Sequence, residues 1–68
     1  MMTNYKERFA IYTKTTNLNG NVYTNGNRFI RCTLVNGEQA MREEVAQLEL
    51  AGDVVECVYN GIGKKVKL

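Results

Sequence analysis

Residues 37–52 read GEQAMREEVAQLELAG, and this stretch differs from the rest of the chain in the spacing of its apolar side chains. Met41, Val45 and Leu48 follow one another at intervals of four and three residues, which places them on one side of an α-helix. We therefore predict a helix over this stretch, with its apolar stripe turned toward the core. Three further residues are expected to widen the stripe: Ala40, Leu50 and Ala51.

Both ends of the predicted helix carry signals in the sequence. Asn36 is the expected N-cap, because its side chain can accept a hydrogen bond from a free backbone N–H of the first turn. Glu38 lies in that turn, where its charge suits the helix dipole, and it stands four residues before Arg42 as an expected ion pair. Gly52 follows the last apolar residue, as a glycine that ends a helix does.

The segments on either side of the helix alternate with a period of two residues, which is typical of β-strands. Residues 8–16 and 28–35 are the predicted strands before the helix, and residues 54–59 and 62–68 are those after it. Within residues 28–35, one face is expected to hold Ile30, Cys32 and Leu34, and the other Phe29, Arg31 and Thr33.

The element order β-β-α-β-β predicts an α+β fold, in which one helix packs on one face of a four-stranded, mostly antiparallel sheet. The whole chain, residues 1–68, is expected to form a single small domain. Residues 1–6 are interpreted as a frayed N-terminus and residues 17–27 as the loop of the first hairpin. The order of the strands within the sheet stays open.

The first hairpin contains two Asn-Gly pairs, at residues 19–20 and 25–26, and either pair can turn a chain. With the turn at 19–20, the numbers of opposite residues add up to 39, or to 41 if 25–26 forms a bulge, and Phe9 faces Ile30 in the first case. We favour the turn at 19–20, because a turn at 25–26 would leave the strand of residues 8–16 unpaired with the strand of residues 28–35. The alternative is a three-stranded meander with residues 22–24 as a short middle strand.

Composition argues against several classes of function. The chain of 68 residues has no His and two Cys, so it lacks a base that titrates near neutral pH and the four ligands of a typical zinc site. Cys32 and Cys57 are interpreted as small apolar side chains with reduced thiols, which suits a cytoplasmic protein. No stretch has the length of a membrane-spanning helix. We predict a non-enzymatic protein with no cofactor and no metal.

The sheet face away from the helix is predicted to combine aromatic and basic side chains, which are enriched at the centres of protein interfaces. The same residue types can stack bases and neutralise phosphates. As a third interpretation, Tyr12 and Phe29 form a cross-strand pair on a solvated face that needs no partner. The predicted partner-binding residues are Tyr12, Phe29 and Arg31, with Tyr23, Arg28 and Lys14 around them.

The size and element order resemble several small phage-encoded or mobile-element proteins, including anti-defence inhibitors, and the chain shares with them a short, Asn-rich composition without Pro or His. The resemblance implies a protein that binds one macromolecule, either to inhibit it or to be sensed by a host factor. Our first hypothesis is a protein-binding module whose partner is a host protein or a second copy. The alternatives are a single-stranded nucleic-acid-binding protein and a structural homodimer.

Overall fold

The computed structural model describes residues 7–16, 18–20 and 22–68. They form one four-stranded antiparallel sheet and one helix, which confirms the predicted α+β fold. The strand order across the sheet is β2-β3-β1-β4. In chain order the elements are β1 (Arg8–Lys14), β2 (Val22–Asn25), β3 (Arg28–Asn36), α1 (Glu38–Leu50) and β4 (Val54–Tyr59). The expected frayed N-terminus, together with Asn17 and Asn21 of the predicted loop, lies outside the described residues.

The apolar stripe of α1 is confirmed at its centre. Met41 and Val45 are buried, and Leu48 packs against them from the next turn. The expected widening of the stripe is wrong, because Leu50 is 82% exposed and both alanines are exposed as well. The helix therefore contacts the sheet through a narrow seam, so the remaining surface of α1 faces solvent.

The two ends of α1 are built differently. Gly37, and not the expected Asn36, is the N-cap residue, and no side chain caps the helix there. At the other end the backbone N–H of Gly52 donates to the carbonyl of Glu49, and that of Asp53 donates to the carbonyl of Leu48. This pair of bonds is a Schellman motif, and Gly52 supplies the positive φ of 93° that it requires.

The first hairpin turns at residues 26–27, which include the glycine of the second Asn-Gly pair. The favoured placement of the turn at residues 19–20 is therefore wrong. Asn25 pairs with Arg28, which leaves Gly26 and Asn27 as a two-residue loop, and Gly26 has a φ of 65°. Such a loop with glycine at its first position follows the natural twist of two strands. Residues 22–25 therefore form the short strand of the alternative prediction, although β1 pairs with β3 and not with β2.

The pairing of β1 with β3 confirms the expected partner strand but not the expected register. The numbers of opposite residues add up to 44, so that Ile11 lies opposite Thr33 and Tyr12 lies opposite Cys32. Both predicted sums were odd, and a change of one residue in the pairing exchanges the two faces of a strand. In β3 the side chains of Phe29, Arg31 and Thr33 consequently lie on the helix side of the sheet.

The core lies between α1 and the two strands β1 and β4. Its buried apolar side chains are Ile11, Met41, Val45 and Val58, and partly buried neighbours are Phe9, Val35, Leu48, Val55 and Val66. Five segments contribute to this one cluster, namely β1, β3, α1, β4 and the C-terminal segment. Within the described residues, no second helix packs on the other side of these strands.

The C-terminal segment turns at the expected Asn60-Gly61 pair but does not form the expected strand over residues 62–68. It makes one isolated bridge between Tyr59 and Lys65, and the N–H of Val66 donates to the carbonyl of Val58 at 2.7 Å. Asn60 Oδ1 accepts hydrogen bonds from the backbone N–H groups of residues 62 and 64, at 3.2 and 2.9 Å. These two N–H groups are therefore held within the turn and not in a strand pairing. The fourth strand of the sheet is β2 instead.

Thr13 provides a test of this core. It is fully buried in the middle of β1, and within the described residues its Oγ1 has no hydrogen-bond partner. Replacement by valine keeps the shape and removes a desolvated hydroxyl, so Thr13→Val is expected to raise the free energy of unfolding by about 1–2 kcal/mol in urea denaturation. Thr24→Val on the exposed strand β2 is the control and should change it by less than about 0.5 kcal/mol. A clear loss of stability in Thr13→Val would contradict the burial of an unsatisfied hydroxyl.

Candidate binding face

We call the side of the sheet that faces away from α1 the open face. The register places on it the even-numbered residues of β1 and β3 together with their neighbours on the two outer strands. Its members are Arg8, Ala10, Tyr12, Lys14, Tyr23, Arg28, Ile30, Cys32, Leu34, Asn36, Val54, Cys57 and Tyr59. Three of the apolar or aromatic ones are largely exposed: Tyr23, Leu34 and Val54.

A concavity of about 240 Å³ lies at the centre of the open face. Ile30 is only 4% exposed although it lies on the side of the sheet that lacks the helix, so the surrounding side chains already cover it. All four strands contribute to the walls. The lining residues are Tyr12, Tyr23, Arg28, Ile30, Glu56, Cys57 and Tyr59. We refer to this concavity as the tyrosine pocket.

A larger and shallower depression, about 520 Å³, lies on the outer surface of α1. It is lined by Glu38, Gln39, Arg42, Glu43 and Ala46, which all belong to the same helix. Its shape depends on long exposed side chains, including the Glu38–Arg42 pair at 3.2 Å, the predicted i, i+4 ion pair. Exposed side chains of one helix do not hold a fixed shape, so the tyrosine pocket, built from four paired strands, is the stronger candidate site.

An irregularity in β4 brings a carboxylate to the tyrosine pocket. The register between β1 and β4 shifts by one residue between Tyr12 and Thr13: Tyr12 lies opposite Cys57, and the next residue, Thr13, lies opposite Val55. Glu56 is the extra residue of this β-bulge, and a bulge redirects the side chain of its extra residue. Glu56 lines the pocket beside Cys57 and forms an ion pair with Arg28 of β3.

Tyr12 occupies the middle of the open face. Its ring meets that of Tyr59 edge to face, with centroids 5.7 Å apart and an angle of 85° between the ring planes. Cys32 and Cys57 are its direct neighbours on the two flanking strands. The aromatic contact joins β1 to β4, and pairs of this geometry add about 0.5–1.5 kcal/mol beyond the area that they bury.

The surroundings of Tyr12 raise the pKa of its phenol above the usual value of 10.0. The charge of the Cys32 thiol, once ionised, is the largest cause, followed by burial and by a hydrogen bond that the Tyr12 hydroxyl donates to Cys32. Tyr23 and Cys57 add smaller effects in the same direction. Tyr12 therefore stays neutral throughout the physiological range and presents an uncharged ring and hydroxyl to the pocket.

The two cysteines are free and partly buried. They lie on opposite sides of Tyr12, two strand spacings apart, which corresponds to a Cα separation of about 9–10 Å. A disulfide needs Cα atoms within about 7 Å, so the sheet keeps Cys32 and Cys57 from bridging. The geometry therefore supports a role for both cysteines as small apolar side chains that pack in the sheet, and not as a covalent link.

The structure brings four of the six predicted partner-binding residues to one face. Tyr12, Tyr23 and Arg28 line the tyrosine pocket, and Lys14 stands on the same face at the end of β1. The remaining two are Phe29 and Arg31. They lie on the opposite side, because the observed register differs from both expected registers by an odd number of residues, which exchanges the two faces of β3. The prediction that all six share one face is therefore wrong.

On the helix side of the sheet, Arg31 and Phe29 lie near Gly20 and Thr15, which precede β2. Arg31 Nη1 lies 3.1 Å from the position that a Cβ on Gly20 would occupy, so this side chain packs along the 18–20 loop. Phe29 is 41% exposed, and its carbonyl accepts a hydrogen bond from the N–H of Thr15 at 2.9 Å. Neither residue contributes to the tyrosine pocket.

Four pocket residues were not predicted for the site: Ile30, Glu56, Cys57 and Tyr59. Tyr59 follows Cys57 at a spacing of two and so shares its face, a signal that needed only the pairing of β4 with β1. Ile30 was assigned to the core because it is apolar. Nothing in the sequence indicates that Glu56 belongs to the site. Its position results from a β-bulge, which depends on the pairing of two strands far apart in sequence and does not alter the local alternation of side chains.

The titration of Tyr12 tests the geometry of the open face. Cys32→Ser removes the strongest negative neighbour, so the pKa of Tyr12 should fall toward 10.0, as followed by the Cζ chemical shift of the tyrosine ring. Cys57→Ser is the matched control and should give a smaller fall, since Cys57 contributes least. Equal shifts in the two variants would contradict the position of Cys32 as the main cause of the raised pKa of Tyr12.

The same shift affects stability at high pH. Above pH 10 the unfolded chain loses the Tyr12 proton before the folded chain does, so the free energy of unfolding declines as the pH rises. Below that pH both states keep the proton, and this group contributes no pH dependence. Tyr12→Phe should remove this part of the alkaline loss, measured by denaturant titration at neutral and at alkaline pH.

Comparisons with known proteins found no family model, no curated protein sequence and no solved structure that matches the chain. Within the described residues, no helix has the length and apolar character needed to cross a lipid bilayer. In the same part of the chain, no three side chains of His, Cys, Asp or Glu come together as a metal site.

Proposed function

We propose that this chain is a non-enzymatic protein-binding module that docks a partner protein on its open face. The observation that carries the proposal is an uncovered sheet face with exposed Tyr23, Leu34 and Val54 around a pocket of about 240 Å³. Apolar and aromatic surface of this kind, bordered by charged side chains, is typical of protein interaction sites. Bound there, the module would act by covering the surface of its partner.

The size of the open face suits a protein partner. Strand β1 has seven residues and so spans about 23 Å, and four strands at about 4.8 Å each give a width of about 19 Å. The outline of the face is thus at most roughly 400 Å², since β2 has four residues, and it is broad enough to meet the surface of another protein. The pocket itself, at about 240 Å³, is smaller than the roughly 300–1,000 Å³ of small-molecule sites. It fits one side chain of a docked protein better than a free metabolite.

The charges on the open face favour a protein over a nucleic acid. Arg31 lies on the helix side, and Arg28 is paired with Glu56. The other basic side chains that the register places on this face, Arg8 and Lys14, lie at opposite ends of β1, about 20 Å apart. Binding to a phosphate backbone favours several neighbouring cations that replace condensed counterions, and the cations of the open face are not clustered in this way.

The hairpin of β2 and β3 supplies a matched pair of variants for a test. Tyr23 is 46% exposed on the open face, and Phe29 is 41% exposed on the helix side, one residue away in the same hairpin. In affinity capture from host cells, followed by binding measurements with the captured protein, Tyr23→Ala should weaken binding at least about ten-fold. Phe29→Ala should leave the affinity within about two-fold, and circular dichroism checks that both variants are folded.

Three results would overturn the proposal. One is a captured protein that Phe29→Ala loses and Tyr23→Ala keeps, and another is the absence of any protein that depends on Tyr23. The third is capture of RNA or DNA that is lost steeply with added salt, which would indicate a nucleic-acid-binding protein instead. A partner that proves to be a second copy agrees with the proposal, and sedimentation at several concentrations identifies that case.

A further inference from the structure

The tyrosine pocket combines three aromatic rings with one carboxylate. Tyr12, Tyr23 and Tyr59 come from β1, β2 and β4, and Glu56 reaches the same concavity through the bulge of β4. We propose that this pocket binds the guanidinium or ammonium group of an Arg or Lys side chain on the partner, which takes the place of Arg28 beside Glu56. This inference rests on the proposed function and names the chemistry of the group that the open face recognises.

The aromatic walls favour a cation. The face of a tyrosine ring carries partial negative charge, and it attracts a cation that lies within about 6 Å of the ring centre. The Tyr12 and Tyr59 rings meet edge to face at 85°, so two of the walls of the pocket stand at nearly a right angle. Tyr23 closes the pocket from the opposite edge of the sheet.

The carboxylate of Glu56 already holds a cation of the required kind. Its partner in the structure is the guanidinium of Arg28, and the two side chains are 27% and 47% exposed. An exposed ion pair stabilises a protein only weakly, because water and salt screen it and both side chains lose freedom. Arg28 can therefore give up its place at a small cost, and a second guanidinium on a docked protein would meet the same acceptor.

The surroundings disfavour an anion in the same place. If an anion took the place of Glu56 beside Arg28, the displaced carboxylate would remain at the wall of the pocket and repel it, and the electron-rich faces of the tyrosine rings would repel it as well. Tyr12 remains a neutral phenol in the physiological range, as its raised pKa shows. A cationic side chain with an apolar stem matches both parts of the site, since the stem lies along the rings and the charge reaches the carboxylate.

The test uses two small probes and needs no identified partner. N-acetyl-arginine-methylamide carries the proposed group, and N-acetyl-norleucine-methylamide has an apolar side chain without the charge. We expect the arginine probe to shift the NMR signals of the Tyr12 and Tyr59 rings with a dissociation constant on the order of millimolar, and the norleucine probe to bind at least about five-fold more weakly.

Two charge variants identify the acceptor. Arg28→Gln removes the internal competitor and should tighten binding of the arginine probe by about two- to five-fold. Arg42→Gln is the matched control, because it makes the same charge change and breaks the Glu38–Arg42 pair on α1, and it should leave the affinity unchanged. Glu56→Gln should abolish the measurable binding.

Equal binding of the two probes would overturn the inference, as would equal affinities in Arg28→Gln and Arg42→Gln. Undiminished binding to Glu56→Gln would do the same. None of these results touches the dependence of partner capture on Tyr23, which tests the proposed function by itself. Conversely, if the arginine probe binds as expected but no protein depends on Tyr23, the proposed function fails and the pocket remains a cation site.

Discussion

The structure depends on the register between β1 and β3. Strand β1 lies inside the sheet, with β3 on one side and β4 on the other, so its two rows of side chains decide what each face contains. Ile11 and Thr13 point into the core beneath α1, and Tyr12 points to the open face. A shift of one residue between β1 and β3 would bring Ile30 under the helix and expose Phe29 and Arg31 on the other side. Both the core and the tyrosine pocket follow from this single pairing.

The helix α1 and the strands β1, β3 and β4 were predictable, because the spacing of apolar side chains within each segment indicates its secondary structure. The stripe of Met41, Val45 and Leu48 has the helical period, and the glycine at position 52 ends the helix as expected. The register of β3 was not predictable in this way, because both faces of that strand carry large apolar side chains. Either assignment of its faces looks reasonable until the partner strand is known, and the two Asn-Gly pairs gave conflicting turns.

The candidate site was predictable only in part for the same reason. Tyr12, Tyr23 and Arg28 were placed together from alternation and from their nearness to the turn, and the structure joins them in one pocket. Glu56 arrives through a bulge that exists only when β4 meets β1. It changes the character of the face from basic to mixed, since it neutralises Arg28. The aromatic half of the site was thus contained in local sequence, whereas its electrostatics arises from contacts between distant segments.

The position of β1 also constrains how the molecule can fold. The hairpin of β2 and β3 and the helix α1 rest on contacts between residues close in sequence, which form quickly. Strand β1 comes first in the chain yet gains both of its neighbours only when residues 28–36 and 54–59 are present. During synthesis, β3 becomes available to β1 once residue 36 has been made, but the second edge of β1 stays without its partner strand until residues 54–59 follow. Completion of the sheet is consequently a late event, governed by the closure of the long loop between β1 and β4.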